Sequence, residues 1–429
     1  FTSLDDSIFI WVLGFVSGTF YAEAPPSRKL RESMGKFIGK SLNTLSKMDS
    51  NLVKSHEHRW DLGNTHLSQE YLEKIENPYY RKFALYYFEE FKSRILPVQH
   101  KLPRQVIHGD LNDWNVLCEG DEVSAAIDIG DTCYSARINE LAIALVYVMF
   151  NQDDVLQAAI ETVQSAHAEC AFYRKEIELL FLLVGSRMAV SMANAAHSQR
   201  LNPENDYISV SQNGVEELVV KWTSLGEIHV SNKLLEACGF EVEQVAVEQL
   251  VHAREKVIPK AMRLQFSSPV AMKRALFQYM YDVNGQQYLD AYNNIPHVGH
   301  QHPYVVAKAK EQLSTLNTNT RYPHELLNSY AERVLNYLPD GLEQYFPVNS
   351  GSAASDLCVR LASNASENHA IYCLQHGYHG NTSIGIAISN YKHDGKGGSG
   401  TPSGVEVLML PEDPSDGDHV DAAIAKAKE

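Results

Sequence analysis

The amino-acid sequence predicts a multidomain α/β chain, mostly helical in its front half and alternating between strands and helices in its back half. Three observations carry that prediction. The 429 residues exceed what one hydrophobic core usually serves, so two or three domains are expected. From 28 to 225 the apolar residues recur mainly at helical spacing. After 266 short apolar runs, glycine turns and helical stretches follow one another.

Taken in order, residues 1–20 open with a short strand-like apolar run closed by "SGT". Helices are predicted near 28–48 and 79–96. "KLPRQVIHGD" brings a short β-branched run to a polar loop, and "VSAAIDIGD" is a second apolar strand ending in acid. From 138 to about 200 the pattern is helical. "LNPEND" at 201–206 reads as a turn before a further helix at 207–225. Residues 227–261 have the texture of a connector, with short helical pieces and mixed charge. Asn284-Gly285, between alternating runs, suits a two-residue hairpin turn with φ > 0 at both positions. Two helices follow, "YVVAKAKEQLSTL" and "HELLNSYAERVLNYL". A strand–glycine turn–helix, "EQYFPVNSGSAASDLCVRLAS", and a strand in "NHAIYCLQHGYHGN" complete the pattern. The domains are expected at 1–226 and 262–429, joined by 227–261.

A net charge of −16 argues against a nucleic-acid-binding face and against docking to anionic lipid. The six cysteines form no CxxC pair, and a reducing, cytoplasmic setting is expected. "IELLFLLVGSRMAVSMANAA", 177–196, has the length of a membrane span, but Arg187 stands at its middle, where charge is costly in lipid. A buried helix is the expectation. The chain opens on Phe1 in mid-pattern and reads as a fragment of a longer protein.

"HGDLNDWNVL", 108–117, with "IDIGD" at 127–131, carries the first chemistry. Phosphoryl transfer needs a base at the acceptor hydroxyl and hard oxygen ligands for a metal ion. Asp110 suits the base, and Asn115 and Asp128 suit Mg²⁺. His108 is expected to hold the loop backbone, and Asp131 to join loops rather than bind metal. Isolated Asp and Asn crowd ordinary turns, but here two strand-anchored motifs come together. These residues resemble the aminoglycoside phosphotransferase and choline kinase-like group. "LVGSRMAVSMANAAHSQRLNPENDYISVS" resembles, more narrowly, hydroxylysine kinase. The resemblance covers about 1–226 and implies the mostly helical C-terminal lobe of a protein-kinase-like fold. It implies Asp110 as catalytic base, Asn115 and Asp128 as metal ligands, and a nucleoside triphosphate with Mg²⁺ as cofactors, ATP or GTP. Its glycine-rich phosphate loop and nucleotide-binding lysine are expected upstream of Phe1. Ile129 stands where the family often has an aromatic, and is expected to preserve packing there.

"PVNSGSAASDL", 347–357, places Ser350-Gly351-Ser352 at a helix start, where backbone N–H groups favour an anion. "HGYHGN", 376–381, sets an aromatic between glycines. With "QYMYDVNGQQYLDAYNNIPHVGHQHP" and "LNTNTRYPHE", these stretches resemble class III pyridoxal-phosphate aminotransferases, and more narrowly the ethanolamine-phosphate and phosphohydroxylysine phospho-lyase branch. The resemblance implies the first part of a fold-type I transferase domain that binds pyridoxal 5′-phosphate (PLP) and dimerises in the full-length parent. It assigns Gly351 and Ser352 to the cofactor phosphate, Tyr378 to its ring, and His379 beside it. Ala353 and Ser355 depart from the acidic residue and Asn usual there, which touches helix anchoring. The Schiff-base lysine is expected beyond Glu429. His297, His300 and His302 also suit a metal by type, although the resemblance puts them in a loop near the site entrance.

The expected function is a bifunctional enzyme. Its front phosphorylates the hydroxyl of a small amino alcohol or hydroxy-amino acid such as ethanolamine or hydroxylysine. Its back eliminates that phosphate by phospho-lyase chemistry. The alternatives are an ordinary class III transaminase at the back, or a non-catalytic remnant.

Overall fold

A computed structural model describes the chain except residues 1, 6–7, 11–13, 56–57, 203–205, 294–296, 367, 396, 411–416 and 429. The turn expected at 201–206 therefore lies partly outside the described residues. Compact packing divides the chain into Phe1–Asn317 and Thr318–Glu429. The first unit is mostly helical and the second mixes helices with a parallel strand pair, as a multidomain α/β chain requires.

In the first unit, β1 (Thr2–Asp5) pairs antiparallel with β2 (Ile8–Ile10). β3 (Thr19–Phe20) precedes α1 (Arg28–Leu45). Ser27 caps α1, its Oγ accepting from the Leu30 N–H at 3.1 Å, and Leu30, Met34, Ile38 and Leu42 make its buried stripe at four-residue spacing. α2 (Pro78–Glu90) starts on an Asn77 cap with proline in the first turn and passes into a π-helical turn, Phe91–Ile95.

Next come β4 (Arg104–Ile107), β5 (Val116–Glu119), β6 (Glu122–Ala126) and β7 (Cys133–Ala136). β4 pairs with β7, while β5 lies between β3 and β6. α3 (Arg137–Val148), α4 (Val155–Glu169), α5 (Arg174–Leu201) and α6 (Asp206–Leu225) follow. α5 is long and apolar enough to cross a membrane, yet 89% of its most apolar window is buried in the fold. Buried along most of its length, it is the core helix of the unit.

The first helix of the connector is packed, whereas its second buries no residue. Of its helices α7 (Glu227–Ala237) and α8 (Val247–Val257), α7 buries Val230, Leu234 and Leu235 in the main core. The same core takes in Leu276 from β8 (Met272–Leu276), Phe277 just after it and Tyr281 from β9 (Tyr279–Asp282), which pairs with β10 (Gln287–Leu289). A charged cluster binds these parts. Glu227 accepts from Arg94 and from Arg274, and Glu90 accepts from the same two guanidiniums at 2.8 and 2.9 Å.

The β9–β10 turn corrects the expected two-residue hairpin. Only Gly285 is left-handed, at φ 90°, and the Asp282 N–H donates to Gln286 O at 3.0 Å across a three-residue loop. Asp282 Oδ1 accepts from both Asn284 N and Gln286 N, which holds Asn284 at negative φ and leaves glycine alone to reverse the chain. α9 (Pro303–Thr315) ends the unit's regular structure.

The second unit holds α10 (Glu325–Leu335), α11 (Gly351–Ser366), β11 (Ile371–Leu374), α12 (Ser383–Ala387), α13 (Asn390–His393), β12 (Val405–Leu408) and α14 (Gly417–Lys428). β11 and β12 are parallel, joined through α12 and α13 as parallel strands require. The strand expected in "EQYFPV" is not formed: residues 342–348 join no ladder among the described residues, and extended backbone becomes a strand only by pairing.

Candidate active site

The β4-to-β5 connection is the polar loop 108–115. Because β5 runs antiparallel to β6, with Val116 opposite Ala126, the end of the loop and the residues after β6 meet. The Ile127 N–H donates to Asn115 O at 2.8 Å, which brings the Asn115 and Asp128 backbones side by side. His108 ties the arrangement as the sequence implied. Its Nδ1 accepts from the Asp110 N–H at 3.3 Å, so Nε2 carries the proton and donates to Ile127 O at 3.0 Å. Gly109, at φ +85°, leaves no room for a side chain: a Cβ would sit 2.4 Å from Asp131 O. Its N–H donates to Glu140 Oε2, and burial raises the pKa of that carboxyl.

Asp110 is surrounded by donors. Oδ2 accepts from Asn112 Nδ2 at 2.8 Å and Asn115 Nδ2 at 3.0 Å, and Oδ1 accepts from Arg187 Nη2 at 2.7 Å. The three predicted residues line one cleft of about 370 Å³ with Trp60, Asp113, Asp131, Tyr147, Arg187 and others. Burial, helped by Asp110, raises the Asp113 carboxyl to about 6, and burial raises Asp131 as well.

The donor set suits a hard cation. Asn115 spends Nδ2 on Asp110, which leaves Oδ1 without a hydrogen bond among the described residues. Asp128 sits in the left-handed region, φ 58°, with Oδ1 on the Gly130 N–H at 3.3 Å. That conformation costs a non-glycine residue energy and is held by the strand end behind it. Ile129 is 55% exposed, so the expectation that it preserves packing is corrected: the turn after Asp128 carries it outward.

Arg187 is the residue that sequence reasoning passed over as a site member. It is 2% exposed on α5, bonds Asp110 and Tyr147 OH, and faces the Trp60 ring at 5.0 Å. The signal was visible: a lone arginine amid an apolar helix must find a partner to be buried.

In the second unit, Ser350 caps α11, its Oγ accepting from the Ala353 N–H at 3.1 Å, so the helix starts cleanly despite Ala353 and Ser355. Ser352 Oγ accepts from the Asn381 N–H at 3.0 Å, and Gly380 packs on Ser352, so the two expected phosphate and ring segments meet. A Cβ on Gly351 would meet nothing within 4 Å, which leaves open space for an anion beside the helix start. Tyr378 is 58% exposed, edge-on to Tyr391 at 5.6 Å, and the His379 N–H donates to Ser389 Oγ at 2.9 Å. Open space at a helix start and an exposed ring beside it are the features that a phosphate-bearing flat cofactor would use. His300 Nε2 pairs with Asp290 at 2.6 Å, and no group of three or more His, Cys, Asp or Glu suited to a metal occurs among the described residues.

Comparison with known proteins matches residues 9–173 to the phosphotransferase enzyme family and residues 263–428 to aminotransferase class III. Alanine–glyoxylate aminotransferase 2-like of Drosophila melanogaster is 37% identical over 171 residues, 40% of this chain and 35% of that protein. Ethanolamine-phosphate phospho-lyase homolog 1 of Caenorhabditis elegans is 34% identical over 166 residues, 38% of this chain and 35% of that protein. The chain thus spans about a third of the length of these curated relatives. A solved phospholyase from Arthrobacter in complex with phosphoethanolamine is 30% identical, covering 41% of this chain and 42% of that one, with a TM-score of 0.37. The chain therefore joins an N-terminal phosphotransferase-family-like domain to a C-terminal class-III-aminotransferase-like domain.

Proposed function

We infer that the chain belongs to a bifunctional enzyme whose front domain resembles hydroxylysine kinase and phosphorylates the hydroxyl of a small amino alcohol or hydroxy-amino acid. Its back domain follows the ethanolamine-phosphate and phosphohydroxylysine phospho-lyase branch. The observation that carries the reading is Asp110, ringed by donors in the cleft that also holds Asn115 and Asp128. Asp110 accepts the acceptor hydroxyl and orients it toward the phosphoryl group. Asn115 Oδ1 and the Asp128 carboxylate hold Mg²⁺, which when bound neutralises charge on the nucleotide phosphates. His108 and Glu140 keep the loop in register.

In the back domain Gly351 and Ser352 hold a phosphate through the helix start, and Tyr378 covers one face of the ring, with His379 beside it. PLP bound there supplies an electron sink, so that a phosphate group can leave where hydroxide would not. The domain boundaries near 226 and 262, a cytoplasmic location and a homodimeric full-length parent are part of the same proposal.

The test is acceptor-dependent nucleotide turnover by the full-length protein, with hydroxylysine and ethanolamine and with Mg-ATP and Mg-GTP, read by ³¹P NMR of the phosphorylated amine. Asp110→Asn is expected to lower the rate by about 10² to 10⁴-fold. No acceptor-dependent transfer would leave the non-catalytic alternative. The aminotransferase named among the relatives favours a second reading of the back domain, transamination. Release of inorganic phosphate from the phosphorylated amine marks the lyase, and amino transfer to a keto acid marks the transaminase.

A further inference from the structure

Resting on the phosphotransfer reading of the cleft, we propose that Arg187 is a positioning residue that fixes Asp110 Oδ1 as the oxygen that receives the acceptor hydroxyl. An ionised carboxylate oxygen offers about two acceptor sites. Both sites on Oδ2 are filled, by the Asn112 and Asn115 amides. Oδ1 has one donor among the described residues, Arg187 Nη2 at 2.7 Å, and keeps one site for substrate. The direction of that site is set by where Arg187 stands.

Its own position is held by two aromatic residues, Tyr147 and Trp60. The same Nη2 donates to Tyr147 OH at 3.0 Å, the Trp60 ring lies 5.0 Å from the guanidinium carbon, and the Tyr147 ring lies 5.7 Å away. Nε and Nη1 are buried without a hydrogen-bond partner among the described residues. A guanidinium serving stability alone would use its full fork, since an unpaired buried donor costs free energy and a buried ion pair rarely outperforms an apolar replacement. Here one nitrogen makes both bonds, and aromatic faces stand beside the rest. The two bonds that Nη2 makes secure one direction at Asp110.

The experiment uses Arg187→Met, Arg187→Lys and Tyr147→Phe in the full-length protein, with steady-state kinetics and crystal structures. Arg187→Met is expected to lower kcat about 100-fold while the KM values for acceptor and nucleotide change less than about threefold, the pattern of a misplaced reacting group. Arg187→Lys restores part of kcat, because an ammonium still reaches one carboxylate oxygen. In Arg187→Met crystals the Asp110 carboxylate turns away while Asn115 and Asp128 stay. An unmoved carboxylate, or an unchanged kcat, overturns the proposal. If Arg187→Met does not fold, Tyr147→Phe keeps the question decidable: a fall in kcat with constant KM supports the relay, and no change overturns it. Should the wild-type protein transfer no phosphoryl group, the phosphotransfer reading fails, and the Asp110 orientation in the variant crystals still decides the role of Arg187.

Discussion

Cutting the charged cluster at Glu227 tests whether the connector is a structural part of the front unit. Glu227 is 12% exposed and Arg274 20%. Burial pushes the Glu227 carboxyl up, but Arg94 and Arg274 more than offset this and hold it below the usual range. Glu227→Ala leaves two guanidiniums sharing Glu90. Removing one partner of a buried pair costs about 3–5 kcal/mol, and the residual exposure here brings the expectation to about 3 kcal/mol. Arg274→Ala leaves Glu227 paired with Arg94 and costs about 2 kcal/mol. In the double variant each loss has already removed part of the other, so the cycle is expected to show a coupling of about 1–2 kcal/mol. Urea unfolding followed by tryptophan fluorescence supplies the four free energies, Trp222 being fully buried against Phe181 in the same core. Additivity within about 0.5 kcal/mol would refute the reasoning, since the two residues would then be independent.

Other expectations follow from single positions. Gly185→Ala gains about 1 kcal/mol of helix propensity. However, its Cβ would fall 1.9 Å from Tyr87 Cε1, displacing a ring whose OH lies 2.9 Å from Thr223 Oγ1, so a net loss of about 2 kcal/mol is expected in denaturant titration. Burial first, and Arg137 next, lower the His167 pKa. The unfolded chain then binds the proton first, so this contribution is complete above about pH 6.5 and is lost as pH falls through the folded pKa. His167→Gln should flatten the melting-temperature profile in that acid range. Gly351→Ala meets open space and should leave the melting temperature unchanged, while weakening retention of PLP by the full-length protein in equilibrium dialysis. Asn115→Ala and Asp128→Asn should each weaken Mn²⁺ binding in the presence of nucleotide, read by electron paramagnetic resonance. Unchanged binding would remove that residue from the metal site.

The sequence was most legible where local rules act alone. The helix at 28–45 has its cap and its four-residue stripe in plain view, and the loop 108–115 carries its chemistry at fixed spacing between two strands. Legibility fell where a partner distant in sequence decides. "EQYFPV" has strand composition, but composition supplies no neighbour to pair with. Asn284-Gly285 looked like a two-residue turn until Asp282 Oδ1 captured two N–H groups and lengthened the loop. The texture of 227–261 hid the burial of Leu234, because mixed charge on one helix face says nothing of the other. Arg187 was read for what it forbids, a membrane span, and its partner 77 residues away could not be seen from spacing.

α5 has a consequence for how such a cleft diversifies. Through its 28 residues it carries Arg187, Ser191, Ala195 and Ser198 along one wall of the cleft, and its other faces are filled by aromatic and aliphatic neighbours. A rod packed along its other faces cannot slide or rotate to greet a new ligand without disturbing many contacts at once. Change in acceptor preference must therefore be written in lining residues other than those that hold Asp110 and Arg187, such as Asp113 and Trp114 at the loop tip, while the rod stays as the fixed datum against which those variations are measured.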